Sequence, residues 1–135
     1  MKLIVILLFF FSNSFHVYVQ SENYVGNYTK TMDSTNGDHT IRYTLELHND
    51  GTFEFHSYNK LINGIPQERN TFGRGTWTVI KNIVHFHTET EKDFDEKYTL
   101  DFNNSTARFD HKDKTIFRFY KSKISWMELI ALKKE

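Results

Sequence analysis

The stretch Leu45-Glu46-Leu47-His48-Asn49-Asp50-Gly51-Thr52-Phe53-Glu54-Phe55 decides the fold class. Apolar and polar residues alternate on both sides of Asn49-Asp50-Gly51, which is the period of a half-buried strand and not of a helix. With these three residues as a loop and Gly51 in the left-handed position, Leu47 faces Phe53 and Leu45 faces Phe55. Glu46 then faces Glu54, and His48 faces Thr52, on the other side. A two-residue loop would shift the register by one and mix the two faces. The hairpin therefore has one apolar face and one wet face.

The same test extends outward along the chain. Lys81-Asn82 serves as a two-residue turn that pairs Val79 with Val84 and Trp77 with Phe86, leaving Thr78 opposite His85 and Thr76 opposite His87. Asn103-Asn104 is expected to act likewise, pairing Leu100 with Ala107, Tyr98 with Phe109 and Lys97 with Asp110. Alternation recurs from about residue 24 onward, with turn residues roughly every 8–12 positions, the pattern of a barrel or sandwich. Strands are expected near 24–31, 39–48, 52–59, 71–80, 83–90, 97–102, 105–110, 115–121 and 126–133. The last is read as a strand that closes onto the first, with a short helix as the rival. The only proline, Pro66, falls in a loop spanning Lys60 to Asn70.

Successive hairpins with one apolar face each leave unpaired edges, and closure into a barrel removes them. The fold class is all-β: a single antiparallel up-and-down barrel of 8–9 strands, with a two-sheet β-sandwich as the alternative. The chain has no cysteine, so burial alone must hold it. Its 17 basic and 17 acidic residues give no basic excess of the kind nucleic acid or an anionic membrane usually asks for.

The first residues read differently. Lys2, the apolar run Leu3 to Phe11 and then Ser12-Asn13-Ser14 follow the order of a secretory signal peptide. The run is less than half of the roughly 20 residues a membrane span needs. Residues 1–21 are therefore expected to be a signal peptide and 22–135 the barrel domain. The expected location is exported, periplasmic or extracellular, without a lipid anchor, because no cysteine is available at the cut.

Three motifs resemble the lipocalin-like, or calycin-type, secreted barrels. They are Gly26-Asn27-Tyr28, the Leu45-x-Leu47-x-x-Asp50-Gly51-Thr52-Phe53 hairpin, and Gly73-Arg74-Gly75-Thr76-Trp77. Tyr28 stands where lipocalins proper have a tryptophan, and Arg118 is the candidate for their late arginine. Alternation turns Phe117 and Phe119 inward and Arg118 outward, so the likeness is to the broad class. The resemblance implies a barrel that binds a small apolar molecule at its open end, or one recruited to bind protein.

The inward residues of the hairpins are Tyr43, Leu45, Leu47, Phe53, Phe55, Trp77, Val79, Val84, Phe86, Tyr98, Leu100, Phe102, Ala107 and Phe109. This set reads either as an aromatic-lined pocket or as a packed core, since eight strands leave an interior that side chains can fill. Candidate ligand-binding residues are Tyr28, Tyr43, Phe55, Trp77, Phe86 and Tyr98, with the tyrosines placed to fix a polar head. His85 and His87 lie on one face about 7 Å apart and are candidate metal ligands, with Asp101 or Thr99 alongside if the fifth and sixth strands pair. Glu89 to Glu96 reads as a solvated acidic loop. The Glu46–Glu54 pair lies on an open face without a cleft, so it is not assigned a catalytic role.

No nucleophile elbow, phosphate loop or dinucleotide motif is present, and no catalytic residues or cofactors are expected. The leading expectation is a binding protein, not an enzyme, with a small apolar or amphipathic ligand at the barrel mouth. The alternative is a module or inhibitor that grips a protein partner through the 61–70 loop, with an enzyme of unrecognised type third. Neither nucleic acid nor a membrane span after signal removal is expected as a partner.

Overall fold

The computed structural model describes residues 22–135, so the signal-peptide expectation lies outside the described residues. Nine strands run in chain order: β1 (Gly26–Asp33), β2 (His39–Leu47), β3 (Thr52–Leu61), β4 (Glu68–Ile80), β5 (Ile83–His87), β6 (Tyr98–Leu100), β7 (Thr106–Phe109), β8 (Ile116–Lys121) and β9 (Ala131–Lys134). A one-turn helix α1 (Thr90–Asp93) precedes β6, and a 3-10 turn (Ser125–Met127) precedes β9.

Eight strands close an antiparallel barrel in the order β1-β2-β3-β4-β5-β7-β8-β9, with β9 returning to β1. Closure leaves none of these eight strands with a free edge along the ring, which is how a sheet with one greasy face avoids edge-to-edge association. The ninth strand, β6, lies parallel to the first half of the long β4, through Phe72–Tyr98 and Gly73–Leu100.

Two hairpins have the register read from the sequence. Leu47 faces Phe53, Leu45 faces Phe55 and Glu46 faces Glu54 across β2 and β3. Gly51 has φ 84°, the left-handed conformation its loop requires. Across β4 and β5, Trp77 faces Phe86 and Val79 faces Val84, with Lys81 and Asn82 both at positive φ. The β3–β4 connection is tighter than expected: pairing runs to Lys60–Glu68, leaving 62–67 as the loop.

The third hairpin does not form. Asn104 has φ 63° and Ser105 N–H bonds the Phe102 carbonyl at 3.0 Å, so the turn is present. The chain enters it from β6 on β4, however, and β7 pairs with β5 through Val84–Ala107 and His85–Thr106. Three residues are too few to set register by alternation, and the burial of Phe102 decides the path instead. Tyr98, expected inside, stands on the outer face with its ring 5.9 Å from Phe72 and the Arg74 guanidinium 4.1 Å above it.

The interior is filled. Tyr28, Leu45, Phe53, Phe55, Val84, Phe102, Phe117, Phe119, Met127 and Leu132 are all fully buried. Phe102 stands among Phe53, Phe55, Phe86 and Phe119 at centroid distances from 4.9 to 6.2 Å. Each such ring contributes roughly 1.5–3 kcal/mol by leaving water, which is how a chain without disulfides holds together. No buried side-chain nitrogen or oxygen lacks a partner among the described residues. At the end carrying the β1–β2 and β3–β4 loops, Met127 enters the core and Trp126 stacks on Tyr43 at 5.2 Å. Residue 126 is therefore part of a turn that caps the barrel, and the closing strand starts only at Ala131.

Candidate functional site

A large cleft lies at the opposite end, near both ends of the described chain. Strands β5 and β7 are paired only at Val84–Ala107 and His85–Thr106; beyond them Ile83 and Arg108 part, and the gap between them opens into a cavity of about 700 Å³. Its apolar walls are Tyr24, Ile83, Phe109 and Tyr120. Its cations are Lys81, Arg108, Lys114 and Lys134, joined by His111, and no aspartate or glutamate lines it. In a chain with equal numbers of acidic and basic residues, this is a segregation of charge.

Local structure holds several of these groups. Tyr24 stacks on Phe109 at 5.1 Å, and its carbonyl accepts the Tyr28 hydroxyl proton. Burial raises the pKa of both tyrosines above the ordinary phenol value. Lys134 Nζ donates to the Asn23 carbonyl at 2.8 Å and lies 5.7 Å from the Phe109 ring. The Arg108 guanidinium sits 4.3 Å over Tyr120. The loop carrying His111 and Lys114 is shaped by two aspartates that accept backbone N–H groups: Asp110 from Lys112 at 2.8 Å and Asp113 from Thr115 at 2.9 Å. The backbone bonds hold the Asp110 carboxyl below the usual aspartate range, and for Asp113 the Thr115 hydroxyl, donating at 2.6 Å, does so first and the Thr115 N–H second.

Among the described residues, none of the cleft cations is paired with a carboxylate. Among the described residues, the ion pairs of lysine or arginine within 4.0 Å are Arg74–Asp95 and Lys123–Asp101, both elsewhere.

Comparison with protein-family profiles, curated proteins and solved structures finds no match to this chain.

The six residues read from the sequence as ligand contacts do not meet in this cleft. Tyr28, Phe55 and Phe86 are enclosed in the core, and the Tyr28 hydroxyl already has its partner in the Tyr24 carbonyl. Trp77 is also buried, with Nε1 donating to the carbonyls of His48 at 3.1 Å and Thr52 at 3.0 Å. Tyr43 is buried beneath Trp126. Tyr98 lines a smaller groove of about 220 Å³ on the outer face, shared with Glu46, Glu54, His56 and Phe72. Sequence reasoning missed the cleft because it forms where two strands part, and alternation encodes pairing, not its interruption.

His85 and His87 are on the outer face as expected, but β5 pairs with β7 and not with β6, so the strand pairing that was to bring Thr99 or Asp101 alongside does not form. Thr106 pairs with His85, Asp101 pairs with Lys123, and His87 Nδ1 meets Asn103 Oδ1 at 2.7 Å. Among the described residues the one set of three converging metal-type ligands is Glu46, His48 and Glu54. The late cation over the first-strand aromatic is Lys134, 5.9 Å above Tyr28, and not Arg118, whose Nη1 points to the Leu129 carbonyl at 3.4 Å.

Proposed function

We propose that this protein is an exported, lipocalin-like binding protein whose ligand is an amphipathic anion held in the cleft between β5 and β7. The observation that carries the reading is the lining of that cleft: four cations and no carboxylate around aromatic and aliphatic walls. A carboxylate about 4 Å from one such cation gains ~1 kcal/mol in bulk water and ~4 kcal/mol near a protein surface. Tyr24, Ile83 and Phe109 offer the tail an apolar wall. The barrel shape and the Lys134–Tyr28 arrangement support the lipocalin-like assignment, and the apolar run at 3–11 supports export.

The test is a titration with a medium-chain fatty acid and, in parallel, with the alcohol of the same chain. The acid is expected to bind at least about tenfold more tightly, equivalent to one such charge contact. Arg108→Gln, on the exposed rim, is expected to narrow that difference. Equal affinities for acid and alcohol, or no binding of either, would contradict the reading.

A second reading rests on the β3–β4 tip, where Leu61, Ile62 and Ile65 are exposed, Ile65 almost completely at 95 %. Such a tip suits a protein-binding module that uses the barrel as a scaffold. Recovery of a partner from the exported fraction by the intact protein, and its loss with Ile62→Ser and Ile65→Ser, would favour this alternative over the carrier.

A further inference from the structure

We propose that Glu46, His48 and Glu54 form a binding site for a divalent transition-metal ion, of which zinc is the representative, on the outer face of the β2–β3 hairpin. The register dictates the grouping. Glu46 and Glu54 are directly opposed across the strands, and His48 follows Glu46 by two positions and so shares its face. His48 Nε2 lies 3.8 Å from Glu46 Oε2 and 4.0 Å from Glu54 Oε2, and all three ligand atoms fall within 4.8 Å of one another. Bonds of about 2.0–2.2 Å to a tetrahedral ion separate neighbouring ligands by roughly 3.4 Å. The side chains are only part-covered, so small rotations bring them in.

Electrostatics favours an occupant. Two carboxylates directly opposed on a sheet repel. Among the described residues neither has a lysine or arginine within 4.0 Å, and His48 is their sole cationic-type neighbour at that range. The adjacent Asp50 is engaged elsewhere, accepting from the N–H of Thr52 at 2.9 Å and from its hydroxyl at 2.6 Å. A bound dication would relieve the Glu46–Glu54 repulsion directly.

The scaffold under these ligands is stiff. Trp77 Nε1, from inside the barrel, donates to the carbonyls of both His48 and Thr52, tying the two strands together at the hairpin base. His48 N–H bonds the Thr52 carbonyl at 2.9 Å, and Gly51 N–H bonds the His48 carbonyl at 3.1 Å. Ligands fixed on paired strands lose little freedom on binding. One imidazole with two carboxylates suits zinc and its neighbours better than calcium or magnesium, which prefer oxygen alone. Three protein ligands leave a fourth position open, beside the groove that Glu46 and Glu54 line with Phe72, Lys97 and Tyr98.

The experiment is calorimetric titration of the purified, metal-stripped protein with zinc and with magnesium, repeated on Glu54→Gln, His48→Ala and His87→Ala. The expected result is one zinc per chain and no comparable magnesium binding. Affinity should fall roughly tenfold or more in Glu54→Gln and His48→Ala, because losing outer-shell partners alone costs that much at metal sites. It should be unchanged in His87→Ala. Cobalt in place of zinc should give the intense visible bands of a four-coordinate ion, lost in the same two variants. Absence of zinc binding by folded protein, wild-type affinity in Glu54→Gln, or loss in His87→Ala would each overturn the proposal. Far-ultraviolet circular dichroism on every variant separates a lost ligand from a lost fold.

Discussion

Phe102 lies against Gly73 so closely that a methyl group on the glycine would stand 2.7 Å from Phe102 Cε2 and 2.8 Å from Cδ2. The bare backbone of β4 is what lets the chain from β6 send this ring into the centre of the barrel. Gly73→Ala is therefore expected to cost about 1–3 kcal/mol by overpacking. Phe102→Ala should cost about 3–5 kcal/mol through the cavity it leaves. In the double variant the alanine at 73 loses its two hardest contacts and keeps only Leu100 Cβ at 3.2 Å, so the two costs should sum to more than the measured loss. Denaturant unfolding of the four proteins measures the coupling, and additive costs would mean that the two groups do not touch.

Gly75 meets a harder neighbour. A Cβ there would overlap the His87 carbonyl oxygen, which belongs to the backbone beside the β5 end and cannot rotate away. Gly75→Ala is expected to be more damaging than Gly73→Ala, with a loss above about 3 kcal/mol or no soluble protein at all. Expression yield and thermal melting of the two single variants, compared side by side, check the ranking.

Acid should weaken the fold through its loops. Asp50, Asp95, Asp110 and Asp113 accept hydrogen bonds from residues two or three positions ahead, and each carboxyl is held below its ordinary pKa. A carboxylate depressed in the folded state binds fewer protons there than in the unfolded chain. Its contribution is thus present above the unfolded value, about 3.9, and is lost as pH falls through the folded one. The melting temperature is expected to drop as pH falls below about 4, more steeply for wild type than for Asp50→Asn or Asp113→Asn. Melts across the acid range test the slope.

Trp77→Phe keeps an aromatic ring in the core and removes the Nε1 donor. The His48 carbonyl retains the Gly51 N–H and the Thr52 carbonyl retains the His48 N–H, so neither acceptor is left bare. The expected cost is about 0.5–1.5 kcal/mol. Zinc affinity at the Glu46–His48–Glu54 site should fall as well, although all three ligands remain. Chemical denaturation and the zinc titration read the two effects separately.

The barrel was legible where strands were long. Residues 45–55 and 77–86 carry enough alternation on both sides of a turn to fix register, and the structure follows it pair by pair. The stretch 97–102 carries the same alternation over too short a span, and the demand of Phe102 for the core prevails over local pairing. Of the metal-type cluster, the opposition of Glu46 and Glu54 was already in the register. The place of His48 on the same face was also implied, but alternation alone does not say that the three heads converge. The cleft left no periodic trace, because its cations come from the 81–82 turn, the end of β7, the following loop and the end of β9.

The filled barrel interior leaves the cationic gap between β5 and β7 as the proposed place for a ligand. Mapping of backbone amide chemical shifts during titration with a medium-chain fatty acid tests it most directly. The largest changes are expected at Lys81, Asn82, Ile83, Arg108, Phe109 and Lys114, with Leu45, Phe55 and Phe86 undisturbed. Changes centred on those three interior residues would contradict it.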